Sequence, residues 1–160
     1  MEPCTAEEQA SSPLRHFFAC SISAVAATRS DWSVEVSRPT GTLRVAKAFA
    51  VVVAVAPTDG ATDSYDTTLT LTPSTTTLRI VSWSSSAGIR CARSGRAVNC
   101  TQRSIGGEAP FNELSAAIVL RAAKAGKHSL SAKLAIEGDT ESTNNVARRT
   151  FTVKPAPKKR

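Results

Sequence analysis

Hydrophobic and polar side chains alternate with a period of two along much of the chain from Trp32 onward. This period puts successive side chains on opposite faces of an extended strand, so each such segment predicts a half-buried β-strand. Pro, Gly, Asn and Asp residues separate the segments and predict turns between them. The apolar positions in these segments are Trp32, Val34 and Val36; Leu69 and Leu71; Leu114, Ala116, Ile118 and Leu120; Leu130, Ala132, Leu134 and Ile136; and Phe151 and Val153.

Two segments depart from simple alternation. Between 49 and 55 both sets of positions are apolar, which predicts a strand covered on both faces: Phe49, Val51, Val53 and Val55 alternate with Ala50, Val52 and Ala54. In the second segment, Leu78 and Ile80 are followed by large side chains one step out of phase, at Val81 and Trp83. A phase change of this kind predicts a β-bulge or a change of face.

The segment 114–125 is also compatible with a helix. Leu114, Ala117, Ile118 and Arg121 would then share one helical face. The strand patterns on either side, and the turn at Ala125-Gly126, favour a strand instead.

Seven or eight short strands, rich in β-branched residues, indicate an all-β protein. The pattern fits an immunoglobulin-like antiparallel β-sandwich of about seven strands over residues 31–153. Before it we expect a disordered leader or signal-like segment, 1–30, and after it a basic Pro/Lys tail, 154–160. The 160 residues suit one domain with short tails.

The net charge of +7 is unevenly distributed. Four basic side chains lie in the tail, so the body of the domain is only mildly basic: Lys154, Lys158, Lys159 and Arg160. The tail prolines favour an extended chain that could attract anionic polymers or headgroups, although a solubilising end is the simpler interpretation. No apolar run approaches the ~18 residues that a membrane-spanning helix needs.

The segment 17–27 is fairly apolar, follows the basic Arg15 and ends in Ala24-Val25-Ala26, a pattern typical of a secretory signal. An acidic stretch before it and serines within it are not typical of such signals. A short segment that packs on the domain is the alternative. Export through this segment is therefore a hypothesis.

Cys91 and Cys100 flank a predicted turn at Ser94-Gly95-Arg96. We predict a disulfide across this hairpin if the protein is exported, because disulfides persist in oxidising compartments. Metal ligation is a weaker interpretation, since the chain has no C-x-x-C pair and its only histidines are His16 and His128. We expect neither a metal nor a cofactor.

Three motifs carry a family resemblance: Gly88-Ile89-Arg90-Cys91, Ala97-Val98-Asn99-Cys100, and Ser142-Thr143-Asn144-Asn145-Val146 before the last strand. With the order of strands over about 31–153, they resemble the bacterial conserved-repeat immunoglobulin-like domain, the family of unknown function numbered eleven, and its relative, the adhesion-related CARDB domain. The resemblance implies an exported seven-stranded sandwich that acts as a spacer or adhesive stalk at the cell surface, with no established catalytic residues. The turn Pro57-Thr58-Asp59-Gly60 and the segment 101–108 depart from the family pattern.

Candidate catalytic and metal-binding groups are few. The chain contains the residue types of a Ser-His-acid catalytic triad, with His128 as the histidine, but it has no G-x-S-x-G elbow. We expect His128 to be solvated, in a turn or at a strand edge. An oxygen-rich loop lacks the EF-hand spacing, so we interpret it as a turn held by local side-chain hydrogen bonds; its residues are Gly138, Asp139, Thr140, Glu141, Asn144 and Asn145. We predict no enzymatic activity.

Four arginines surround the cysteine hairpin and could contact a polyanion: Arg90, Arg93, Arg96 and Arg103. No aromatic residue between Trp83 and Phe111 could stack on bases, and charged hairpins also protect sheet edges from aggregation. We therefore predict a non-enzymatic structural or adhesive interaction module, secreted or at the bacterial cell surface, whose partners are cell-envelope or extracellular proteins or glycans rather than nucleic acid. The alternative is a small basic module that binds polyanions, nucleic acid or anionic glycans, through the 90–103 hairpin and the C-terminal tail.

Overall fold

A computed structural model describes residues 31–58, 66–103, 114–137, 139 and 141–157. Nine strands form in these ranges: β1 Trp32–Val36, β2 Ala48–Pro57, β3 Thr67–Pro73, β4 Leu78–Ser85, β5 Arg90–Ser94, β6 Ala97–Gln102, β7 Leu114–Ala122, β8 Gly126–Ile136 and β9 Val146–Val153. One 3-10 turn, Ser142–Asn144, precedes β9. None of the helical structure in these ranges has the length and apolar character needed to cross a membrane.

The strands form two antiparallel sheets packed face to face. One sheet has four strands in the order β1-β2-β7-β4, and the other has five in the order β5-β6-β3-β8-β9. This arrangement confirms the predicted all-β sandwich, with nine strands in place of about seven. The segment 114–122 is strand β7, which pairs with both β2 and β4, so the helical alternative is wrong.

Side chains that face between the sheets form the hydrophobic core. The alternation in the sequence identifies them correctly, because every second residue of each strand points inward. The most completely buried large side chains are Trp32, Leu69, Leu71, Leu78, Ile80, Leu114, Ile118, Leu120 and Leu130.

Strand β4 contains the irregularity that its sequence predicts. The register of β4 on β7 shifts between Ile80 and Ser82, which leaves Val81 as the extra residue, 41% exposed. After the shift, Trp83 lies opposite Ile118 and is directed toward the core, against which it packs while half-buried. The predicted bulge is therefore confirmed.

The valine-rich strand β2 differs from its prediction. Val51, Val53 and Val55 are buried as expected, but Ala50, Val52 and Ala54 are exposed, Val52 by 46%. The expectation of cover on both faces is wrong, because β2 belongs to a sheet that is packed on one side only. Its outer face presents small apolar side chains to solvent.

Strands β1 and β9 lie in different sheets but run in the same direction. Three hydrogen bonds join them, in the order of the sequence. At the start of β1, Asn144 Nδ2 donates to Asp31 Oδ1 (2.7 Å), and at its end Arg149 Nε donates to the Val36 carbonyl (2.9 Å). Beyond β1, Lys154 N donates to the Leu43 carbonyl (2.9 Å). Lys154, the first residue of the predicted tail, is thus joined to the domain through its backbone. The predicted leader, 1–30, and residues 158–160 of the tail lie outside the described residues.

Candidate functional site

The β5–β6 hairpin is closed by a disulfide. Cys91 and Cys100 are directly opposite each other in the ladder, with 4.0 Å between their Cα atoms, and they are bonded through sulfur. Cys100 is fully buried, so the bond lies on the inner face of the five-stranded sheet. The turn between the two strands contains Gly95 at φ 59°, a left-handed conformation that glycine adopts without steric cost.

Arg93 shares the inward face of β5 with Cys91, because the two residues are two positions apart. Its Nη2 donates a hydrogen bond of 2.6 Å to the carbonyl oxygen of Ile80, on the edge strand of the facing sheet. Its guanidinium also lies over the ring of Trp83. Arg93 is therefore occupied in joining the two sheets.

The other three arginines of the hairpin are directed elsewhere. Arg90 pairs with Thr101 across the ladder and points outward with it, and Arg103, directly after β6, is exposed. Arg96 lies in the turn beside Gly95. All four arginines of the predicted group are therefore exposed, but Arg93 differs from the others because its guanidinium contacts the facing sheet.

His128 is buried, at 5% exposed, which corrects the expectation of a solvated side chain. It lies opposite Phe151 in the β8–β9 ladder and shares the inward face of that pair. Its Nε2 donates to the carbonyl oxygen of Lys124 (3.0 Å), and its Nδ1 lies 3.2 Å from Thr75 Oγ1. The sequence prediction failed because the turn ends at Gly126, and His128 already belongs to the strand.

The oxygen-rich loop before β9 forms local hydrogen bonds. Asp139 Oδ1 accepts from the Glu141 amide (3.0 Å), and its Oδ2 accepts from the Asn145 side chain (2.8 Å). Hydrogen bonds from Asn144 and then Thr58 hold the pKa of Asp31 below its ordinary value of 3.8. No group of three or more His, Cys, Asp or Glu side chains in the described ranges is placed to hold a metal ion.

A basic groove lies between the 38–43 segment and the free edge of β9, the edge that pairs with no further strand among the described residues. It has a volume of about 610 Å³, within the ~300–1,000 Å³ typical of ligand sites. Leu43 and Phe151 are the hydrophobic residues at its wall, and each is more than nine-tenths buried. Its charged residues, among those the structure describes, are all cationic: Arg38, Arg148, Arg149 and Lys154.

Sequence reasoning missed this groove because its two walls are separated by more than a hundred residues. Nothing in the local pattern of either wall indicates that they meet. A signal was present in β9, where two adjacent arginines, Arg148 and Arg149, interrupt an otherwise uncharged strand.

Comparison with solved structures finds this fold in proteins of low sequence identity. A cohesin module from a Clostridium perfringens family 33 glycoside hydrolase matches with a TM-score of 0.56 and 12% identity, over 81% of this chain and 100% of that chain. The C-terminal domain of the Streptococcus agalactiae AgI/II polypeptide BspA matches with a TM-score of 0.53 and 11% identity, over 78% of this chain and 49% of that chain. A CARDB domain from Pyrococcus furiosus matches at 0.49 and 15% identity, over 81% and 90%.

At these identities the likeness is one of fold. The sequence itself matches no family model, and no curated protein matches it. The cohesin and BspA matches agree with the two-sheet sandwich described above, and the assignment to the conserved-repeat family stays a prediction.

Proposed function

We propose that this chain is an exported, non-enzymatic structural or adhesive interaction module of the bacterial cell surface, of the conserved-repeat type. The observation that carries the proposal is the Cys91–Cys100 disulfide within a rigid sandwich. Structural disulfides are rare in reducing compartments and common in exported domains. A bridge whose Cys100 end is fully buried favours a protein that folds outside the cytosol.

The solved structures of similar fold support the same class. One is a cohesin module and another is the C-terminal domain of the Streptococcus agalactiae AgI/II polypeptide BspA. A likeness of fold does not transfer a partner, because one fold carries many functions. It supports a rigid scaffold whose faces and loops make contacts.

The roles of the polar residues also favour a binding module over an enzyme. His128 bonds to Lys124 and Thr75 inside the fold, and Asp139 caps its own loop. Asp31 ties the start of β1 to Asn144. These groups have structural roles, whereas an open groove lined by four cations is available for binding.

Export and the disulfide can be tested together by the intact mass of the protein recovered from its source cells without reduction. The expected species starts near Ala27 and gains two hydrogens on reduction; the Cys91→Ala/Cys100→Ala variant, as control, should gain none at these positions. A full-length protein with four free thiols would overturn the proposal of export.

The interaction role can be tested with the labelled full-length chain and envelope fractions of the same cells. Saturable binding should be lost after protease treatment if the partner is a protein, and after periodate oxidation if it is a glycan. Absence of saturable binding to any cell-envelope or extracellular fraction would overturn the adhesive role.

Polyanion binding through the hairpin is the second candidate. The exposure of Arg90 and Arg103, with Arg96 exposed in the turn of the hairpin, favours it. Binding of this kind should weaken steeply with salt, with a slope set by the number of ionic contacts. Arg90→Ala/Arg103→Ala should flatten that slope, whereas binding of a protein partner at another face should be unaffected.

A further inference from the structure

We propose that the basic groove binds an extended acidic peptide, which adds as a strand to the free edge of β9. This inference deepens the proposed interaction role and rests on it. Addition of a strand to a sheet edge is a general mode of peptide recognition, in which main-chain hydrogen bonds give affinity and side-chain contacts give specificity.

Every second residue of β9 directs its backbone N–H and C=O groups away from β8 and toward the groove. In an antiparallel ladder, successive residues alternate between bonding the neighbouring strand and pointing away from it. Asn145 bonds β8, since its carbonyl accepts from Leu134 N, whereas Lys154 bonds the 43–45 segment on the opposite side. The even-numbered residues of β9 therefore direct their N–H and C=O groups toward the groove: Arg148, Thr150 and Thr152.

The neighbouring segment pairs with this part of the chain at one point, directly after the end of β9. Arg44 and Lys154 form a parallel bridge, secured by Val45 N to the Lys154 carbonyl (3.0 Å). Before this bridge the 38–43 segment diverges from β9 and opens the groove. The described part of the chain offers no backbone partner to Thr150 or Thr152 on that side. The gap faces five residues of β9, 148–152, a span of about 17 Å at ~3.4 Å per residue.

The charge of the groove selects the partner. Two of the arginines are partly engaged: Arg149 through Val36 and a 3.8 Å ion pair with Glu35, and Arg148 through its Nε, which donates to Ser129 Oγ (2.9 Å). Arg38, Arg148 and Lys154 are nevertheless exposed to solvent. No acidic residue is among the described residues that line the groove. A peptide with Asp or Glu at alternate positions would place its carboxylates along one side, opposite these cations.

The proposal can be tested by selecting binders of the full-length protein from a displayed library of randomised dodecapeptides. We expect selected sequences with acidic residues at alternate positions. Methylation of their alternate backbone nitrogens should weaken binding about tenfold, since one or two main-chain hydrogen bonds are lost. Thr150→Pro should weaken binding similarly, because proline removes an N–H that faces the groove and leaves the β8 ladder intact.

Charge reversals provide the matched control. Arg38→Glu/Arg148→Glu should reduce peptide binding, whereas Arg121→Glu/Lys124→Glu, with the same change in net charge at exposed sites elsewhere, should not. Selection of no peptide above the level of the Arg38→Glu/Arg148→Glu variant would overturn the proposal. The proposal would also be overturned if the selected peptides bound equally well after N-methylation and to the Thr150→Pro variant. A third contrary result would be a protein that binds heparin but no peptide, with heparin binding reduced by Arg38→Glu/Arg148→Glu.

These outcomes are separate from a failure of the broader function. A protein recovered with free thiols from the cytosol would overturn export without affecting peptide selection. Conversely, Thr150→Pro and Arg38→Glu/Arg148→Glu could both retain saturable binding to the cell envelope. That result would support the interaction role of the domain and show that its binding site is not the groove.

Discussion

The guanidinium of Arg93 lies 5.4 Å from the ring centroid of Trp83, across the gap between the two sheets. The opposite edge of the sandwich has a counterpart, in which Arg149 of β9 donates to the Val36 carbonyl of β1. Both arginines are on the edge strands of the five-stranded sheet, and both reach an edge strand of the other sheet. The two arginines therefore join the sheets at both edges of the sandwich.

Arg93→Ala should destabilise the fold. The charge-assisted hydrogen bond to Ile80 and the contact with Trp83 at a partly exposed site together suggest a loss of about 1–2 kcal/mol in the free energy of unfolding. Urea denaturation measures this loss. Arg90→Ala removes an outward arginine of the same strand and should change the value by less than about 0.5 kcal/mol; equal effects of the two substitutions would contradict the inward role of Arg93.

Reduction of the Cys91–Cys100 disulfide should lower the stability of the native protein. A bridge that closes a loop of this length contributes about 2–3 kcal/mol, mainly by restricting the unfolded chain. The thermal midpoint should therefore fall on addition of dithiothreitol. The thermal midpoint of the Cys91→Ala/Cys100→Ala variant should be close to that of the reduced wild type and should not change with dithiothreitol. If dithiothreitol lowered the midpoint of that variant too, the effect would come from another bond.

Asp31 should make stability depend on acid pH. Hydrogen bonds from Asn144, first, and Thr58, second, lower its pKa in the folded protein. Its contribution to the free energy of unfolding is therefore complete above the ordinary pKa of 3.8 and is lost as the pH falls through the lower pKa of the folded state. Urea midpoints measured from pH 6 to pH 2 should show the wild type and Asp31→Asn converging below about pH 4. Glu137→Gln, at an exposed carboxylate, is the control, and its midpoint at pH 6 should equal that of the wild type. A constant difference between wild type and Asp31→Asn over the whole range would contradict the prediction.

His128→Ala should cost about 2–3 kcal/mol of unfolding free energy, since it opens a gap in the core and leaves the Lys124 carbonyl without its donor. Lys127→Ala, at the exposed neighbouring position, should have little effect. The comparison by chemical denaturation separates a structural histidine from a solvated one, for which both substitutions would be neutral.

The sequence was sufficient to predict the strands and their inward faces. A period of two is a local property, and it identified Val34, Leu71 and Leu134 as core residues without knowledge of their partners. The phase change after Ile80 likewise predicted the bulge, because one extra residue inverts the faces that follow.

The remaining features depend on which strands become neighbours. The exposure of Val52 follows from a sheet packed on one side, and the groove follows from the meeting of Arg38 with Arg148. The direction of Arg93 was within reach of the sequence, because a residue two positions from a bridged cysteine shares its face. Grouping the four arginines by proximity along the chain concealed that difference.

The parallel course of β1 and β9 determines how the domain would respond to tension. Chain direction places Asp31 at one pole of the sandwich and Lys154 at the other, with Asn144, Arg149 and Leu43 in the contacts between them. A pull applied at residues 31 and 154 would act along both strands. The joining contacts would be sheared at the same moment rather than peeled open one after another, a geometry suited to resisting mechanical load.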